Sequence, residues 1–209
     1  MQICLRKWIR NTALMASFGA LFLAGLGPVQ AQQKALPALD QKLDPLRTQF
    51  NQDVGKVRLI VIIDPTCPPC RWGASEIQKQ VLETIPSNKL AVYVVWIPVL
   101  NFQDEATLQK NGLKESGRVS DSRAIHYVDP NGFSGKQYST VLNVPYHAPA
   151  WDVYFAFGPD VRWEDRAPTP TDWMYQGEGF DRARLLDGRK FAERVQKLLA
   201  TADSKAAKR

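Results

Sequence analysis

Two unbroken apolar runs dominate the pattern of hydrophobic and polar positions. Leu59-Ile60-Val61-Ile62-Ile63 and Val92-Tyr93-Val94-Val95-Trp96-Ile97 show no polar alternation, which is the pattern of β-branched strands buried on both faces. A helical pattern reaching Ile85 and a turn at Pro86-Ser87-Asn88 lie between them. Strand, helix, strand in this order predicts a right-handed crossover with both strands parallel. Pro98 ends the second strand.

Around this unit the chain is less regular. Leu39, Leu43, Leu46 and Phe50 recur at helical spacing and predict a short amphipathic helix, or a turn and a helix, ending near Gly55 and covering an edge of the sheet. Asp104 to Leu113 reads as a helix closed by Gly112, with Glu115-Ser116-Gly117 as a loop. Ala124 to Val128 is a short strand carrying His126, to which no role is assigned. Asp129-Pro130-Asn131-Gly132 is a turn, and Gly135 to Leu142 a further helix. Trp151 to Phe157 predicts a strand, with Val161-Arg162-Trp163 pairing back as an antiparallel edge across the Gly158-Pro159-Asp160 turn. Trp173-Met174-Tyr175 either adds a last strand or packs aromatics over the sheet. An apolar stripe from Leu185 to Leu199 marks a final helix over about Asp181 to Ala200, with Gly188 as a weak spot, and residues 201–209 read as a disordered charged tail.

The first strand hands over to its helix through Asp64-Pro65-Thr66-Cys67-Pro68-Pro69-Cys70. With Thr66 or Cys67 as N-cap, Pro68 falls near the first helical position, where a missing N–H is harmless. The free N–H groups of Cys70 and Arg71 then point toward the Cys67 sulfur at the positive end of the helix dipole. That predicts Cys67 as an exposed, thiolate-forming nucleophile and Cys70, one turn deeper, as the resolving thiol of a redox-active Cys67–Cys70 disulfide. The two prolines remove two amide donors and weaken that thiolate stabilisation. A purely structural disulfide closing so small a loop adds little stability. Zinc wants about four ligands, usually from two separated pairs, and there is no second pair. Redox exchange suits the strand, turn and helix that surround the cysteines.

The start of the chain changes where this chemistry would operate. Arg6, Lys7 and Arg10 precede an apolar stretch from Thr12 to Leu26, and Val29-Gln30-Ala31 ends in small residues: a signal peptide with cleavage near Ala31, and so a periplasmic or secreted protein. The stretch is shorter than the roughly 20 residues of a spanning helix, and no other segment is long enough, so no stable membrane insertion is expected after cleavage. Cys4 leaves with that segment, and the two remaining cysteines meet a compartment in which disulfides persist. Removing the three signal cations from the 27 Lys and Arg leaves 24 against 21 acidic residues, a net charge of +3. Basicity of that size, without a basic run or a recognisable motif, argues for no nucleic-acid partner.

Taken together, Cys-Pro-Pro-Cys at a helix start, the flanking strands, an inserted helix and strand between about Gln103 and Asn143, and Ala148-Pro149-Ala150-Trp151 before a hairpin and last helix resemble the thioredoxin-like superfamily. The likeness covers most of Val57 to Ala200, after an N-terminal extension and helix at 32–56. It looks closest to secreted members that reduce or shuttle disulfides. It implies an α/β three-layer fold with a central mixed sheet, helices on both faces, and the insert placed before the cis-proline hairpin. It also implies that Pro149 is the cis-proline facing the Cys pair, aiming the Ala148 backbone at the substrate chain.

Two positions depart from the thioredoxins proper. Thr66 stands where Trp is usual, and Val61 stands where a buried carboxylate helps deprotonate the resolving thiol. Asp64 and Asp152 are the substitutes to consider, although turn formation is the simpler role for Asp64 and a solvent-facing or structural one for Asp152.

The activity implied is thiol–disulfide exchange with protein thiols or disulfides, without an organic cofactor and with an upstream redox partner protein. The dipeptide Pro68-Pro69 does not fix the direction of electron flow. One alternative is a soft-metal module in which Cys67, Cys70 and His147 hold Cu(I), resembling the secreted thioredoxin-fold copper chaperones. Another is a non-catalytic assembly factor of the same fold.

Overall fold

The computed structural model describes residues 34–177 and 180–206. The signal peptide expected at 1–31 and the end of the tail, 207–209, lie outside them. The apolar runs form β1 (Val57–Ile63) and β2 (Leu90–Trp96), both buried throughout and paired in parallel with Ile60 against Tyr93. Burying each such Val or Ile contributes about 1.5–3 kcal/mol, which is why these strands take the centre. β3 (Ala124–Val128) adds in parallel to β2. β4 (Val153–Phe157) and β5 (Asp172–Tyr175) add antiparallel on the other side of β1. The sheet order is β3-β2-β1-β4-β5.

Side-chain alternation divides β1 between two cores. Val57, Leu59, Val61 and Ile63 face one layer, and Ile60 and Ile62 the other. The first layer is α2 (Pro68–Glu76), which continues as a π-helical turn over Ile77–Leu82, with α3 (Glu105–Ser116) and α5 (Gly188–Ala206). The second contains α1 (Asp44–Gln52) and α4 (Phe133–Leu142). The fold is thus the three-layer α/β arrangement expected above, a mixed sheet with helices on both faces, with α3 and β3 between the second central strand and the hairpin. No helix among the described residues is long and apolar enough to cross a membrane.

Several local expectations need correction. Pro45 sits in the first turn of α1, and the helix lies on a face of the sheet rather than at its edge: Leu46 and Phe50 join Ile60, Ile62, Tyr93 and Val95 in the second core. Gly112 does not end α3, which runs to Ser116. A Cβ at Gly112 would sit 3.1 Å from Trp96 Cδ1, so its small size serves close packing inside the helix. Val161-Arg162-Trp163 forms no strand. The Asn51 side chain satisfies the Trp163 backbone instead, donating to its carbonyl at 2.7 Å and accepting from its N–H at 2.9 Å. The indole is buried edge-on against Phe50, and β5 supplies the antiparallel partner of β4. The last helix begins at Gly188, not Asp181. It extends to Ala206, so residues 201–206 are helical rather than disordered.

Candidate active site

The cysteine pair sits where β1 ends and α2 begins. Cys67 is the N-cap of α2 in an extended conformation, and Pro68 and Pro69 occupy the first helical turn, where their missing N–H groups are harmless. The Cys70 N–H donates to Cys67 Sγ at 3.2 Å. The Arg71 N–H does not join it, and donates to the Cys67 carbonyl at 3.1 Å. One amide therefore faces the sulfur where two were expected.

Both cysteines are free thiols, and neither is exposed: Cys67 is 1% accessible and Cys70 0%. Burial pushes the Cys67 thiol up from its ordinary value. Hydrogen bonds from Cys70 oppose the rise, while the charges of Asp152 and Asp64 add to it. Burial pushes Cys70 much further, and the Asp152 charge adds to the rise. The expectation of an exposed, readily ionised Cys67 is therefore corrected. A single amide and a helix dipole do not offset desolvation beside two carboxylates.

The two carboxylates differ in role. Asp64 is fully buried and accepts four hydrogen bonds. Thr66 N and Oγ1 each reach Oδ1 at 2.7 Å, and Val99 N and Leu100 N each reach Oδ2 at 2.8 Å. It staples the loop after β2 to the approach of Cys67. Asn101 Nδ2 extends that staple by donating to Thr66 Oγ1 at 2.9 Å. The exposed side chains of Leu100 and Phe102 thus belong to a loop fastened immediately before the cysteines.

Asp152 is not solvent-facing. It is 3% accessible, in a left-handed conformation at φ 53°, and its carboxylate lies within 4.8 Å of both sulfurs. Tyr154 Oη donates to Oδ1 at 2.6 Å and Gln176 Nε2 donates to the same oxygen at 3.0 Å. Gln176 Nε2 also reaches Tyr154 Oη at 2.9 Å and the Pro69 carbonyl at 3.1 Å. Burial holds the Asp152 carboxyl above the usual carboxylate range, against the pull of Tyr154, Gln176 and the Cys70 thiol.

Gly73 makes this cluster possible: a Cβ there would overlap the Tyr154 hydroxyl and Gln176 Nε2, and lie 2.6 Å from Tyr154 Cζ. Sequence reasoning passed over Tyr154, Gln176 and Gly73. The available signal was Asp-x-Tyr at the mouth of a strand, a spacing that puts both polar side chains on one face.

Pro149 follows a 3-10 turn, Pro145–His147. β4 pairs with β1 through Val153 against Ile62, so the turn carrying Pro149 lies at the end of the sheet where β1 meets the cysteines. The Ala150 N–H donates to the Gly135 carbonyl at 2.9 Å. A Cβ at Gly135 would come within 3.2 Å of Pro149 Cβ, so the small residue lets α4 back this turn. Pro149 also borders an open cavity of about 320 Å³, together with Ile97, Val99 and Phe102.

His147 is exposed. Among the described residues, the His, Cys, Asp and Glu side chains close enough to share an ion are Cys67, Cys70 and Asp152. The Cu(I) set built on His147 is therefore not assembled. His126 is half-buried and structural. Its ring stacks on Trp96 at 6.0 Å between centroids, Trp96 Nε1 faces Nδ1 at 3.3 Å, and Nε2 lies 2.9 Å from the Val119 carbonyl.

No protein-family model matches the chain, and no curated protein matches it. Among solved structures, the chain is similar to a secreted Mycobacterium tuberculosis disulfide oxidoreductase described as homologous to E. coli DsbE. The two are 14% identical over 70% of this chain and 84% of the other, with a TM-score of 0.42. It is also similar to MTB dsbF in its mixed oxidized and reduced forms, at 14% identity over 71% and 84% of the two chains and a TM-score of 0.45. A third similar structure is Enterococcus faecalis AhpC, at 13% identity over 72% and 78% and a TM-score of 0.46.

Proposed function

We propose that this protein is an extracytoplasmic thiol–disulfide oxidoreductase that exchanges disulfides with protein substrates. Cys67 attacks the substrate disulfide and Cys70 resolves the mixed disulfide that forms. The observation that carries this reading is the Cys67 sulfur at the N-cap of α2, held by the Cys70 amide at 3.2 Å, with the second thiol beneath it. The exposed Leu100 and Phe102 on the stapled loop favour a polypeptide partner with apolar side chains over a small thiol. Pro149, in its proposed cis-proline role, would position that chain. The signal-like segment before Ala31 supports export.

The first experiment is equilibration of the Cys67–Cys70 couple with glutathione, read through the fluorescence of half-exposed Trp72, which follows Cys70 in α2. A potential near about −250 mV or below makes the protein a reductase supplied with electrons across the membrane, and one near about −150 mV or above an oxidant or isomerase. A couple that forms no Cys67–Cys70 disulfide at any glutathione ratio refutes the reading. So does failure of a Cys70→Ser variant to trap a mixed disulfide through Cys67.

A further inference from the structure

The resolving thiol poses a chemical problem under this reading. Cys70 is fully buried and must lose its proton to attack. The strand position that would carry a nearby acid holds Val61. In the sheet, however, Val61 pairs with Tyr154 of β4, and Tyr154 holds Asp152. Continuing the register one residue past Ile62 and Val153 sets Asp152 against Ile63, at the level of the cysteines.

We propose that Asp152 accepts the Cys70 proton as Cys70 attacks the mixed disulfide, and that Tyr154, Gln176 and the missing side chain at Gly73 hold it in place for that step. The inference rests on the exchange reading and names the base within it. As the Cys70 S–H bond breaks, its proton passes to an Asp152 oxygen and the Cys70 sulfur bonds to the Cys67 sulfur. The substrate sulfur leaves with the electron pair as a thiolate and is protonated by Asp152 or water. Over the cycle two electrons pass from the cysteines to the substrate disulfide.

The geometry suits a base rather than a structural ion pair. Both named donors go to Oδ1, so the carboxylate is anchored by one edge. The groups that face it are Cys70 and Cys67 from the α2 end, Tyr154 on its own strand and Gln176 after β5, with Asp64 beyond the sulfurs. None of the influences on its ionisation is a cation. Gln176 ties the Pro69 carbonyl to Asp152 through a single amide nitrogen, which fixes the first turn of α2, between the cysteines, relative to the acid. The left-handed backbone of Asp152, uncommon for a non-glycine residue, turns the side chain just before β4 inward.

The test separates the two chemical steps. Cys67 is loaded with thionitrobenzoate from Ellman's reagent, and release of the coloured anion on attack by Cys70 is followed from pH 5 to 9. Asp152→Asn keeps the Oδ1 acceptor and suits the left-handed backbone. It should slow release about a hundredfold at pH 7, the lower range for removal of a general base. It should also replace a rate that levels off with pH by one that keeps rising tenfold per unit. In a Cys70→Ser background the same substitution should leave loading of Cys67 as fast or faster, because the Asp152 charge opposes ionisation of Cys67. A merely structural role would slow both steps.

Tyr154→Phe retains the carboxylate but removes a donor to its ionised form, and should move the plateau to higher pH. Release from Asp152→Asn at the wild-type rate with the wild-type pH profile overturns the assignment while leaving the exchange reading intact. Wild-type protein that forms no mixed disulfide at Cys67 overturns both.

Discussion

Replacing Gly73 by Ala should destabilise the protein although it improves the helix. At an open helical site, Gly→Ala stabilises by about 1 kcal/mol through propensity. At Gly73 the new methyl would lie 2.6 Å from Tyr154 Cζ and closer still to its hydroxyl and to Gln176 Nε2. Tyr154 is fully buried and paired with Val61 in mid-sheet, so its ring cannot swing into solvent. Overpacking of this kind costs about 1–3 kcal/mol, and breaking the Tyr154–Asp152 bond of 2.6 Å in a buried site adds about 1–3 kcal/mol.

Against the propensity gain, the net loss is about 1–5 kcal/mol, or a fall of about 0.5–2.5 M in the urea midpoint for a slope of about 2 kcal/mol/M. Gly117→Ala is the control. Its Cβ meets nothing within 4 Å and its φ is −59°, so it should be neutral or stabilising by up to about 1 kcal/mol. A double-mutant cycle with Tyr154→Phe should show strong coupling, since the variant lacks the oxygen that the new methyl strikes first. A Gly73→Ala protein with a wild-type or higher midpoint would refute the packing argument.

Two further outcomes follow from the carboxylates. Asp152 binds its proton more tightly folded than unfolded, so its contribution to stability is fully present below the unfolded value near about 3.9 and is lost as pH rises through the raised folded value. Asp152→Asn should therefore match wild type in acid and exceed it in denaturation midpoint at pH 8; equal stability at both pH values would contradict the burial argument. Asp64→Asn replaces one acceptor oxygen by a donor facing other donors, and should lose about 2–4 kcal/mol of local stability. Hydrogen exchange at the Val99 and Leu100 amides should accelerate about 30-fold or more, and unchanged protection there would show that Asp64 does not staple the loop.

The central strands and the N-cap position of Cys67 were legible because they depend on local signals: uninterrupted β-branched runs, and prolines tolerated in a first helical turn. The burial of Cys67 was not legible, since it comes from packing in the tertiary core, and the Asp152 carboxylate beside it belongs to the turn before β4, remote in sequence. Asp152 misled for a related reason. Its inward orientation depends on one left-handed residue and on a glutamine 24 positions later, neither of which carries a periodic signal. Val161 to Trp163 looked like a strand because of its composition. An asparagine 112 residues upstream satisfies the Trp163 backbone where a neighbouring strand would have done so.

The outer borders of the sheet carry one more consequence. On β3, the Leu39 N–H donates to the Val128 carbonyl at 2.8 Å and the Val128 N–H donates to the Pro37 carbonyl at 3.0 Å. On β5, the Trp173 and Tyr175 carbonyls accept from Arg184 Nη1 at 3.2 Å and the Leu186 N–H at 2.8 Å. Short irregular segments thus occupy backbone groups that would otherwise invite another chain to add a strand. The two clips leave both flanks of the sheet poor templates for aggregation with unfolded chains.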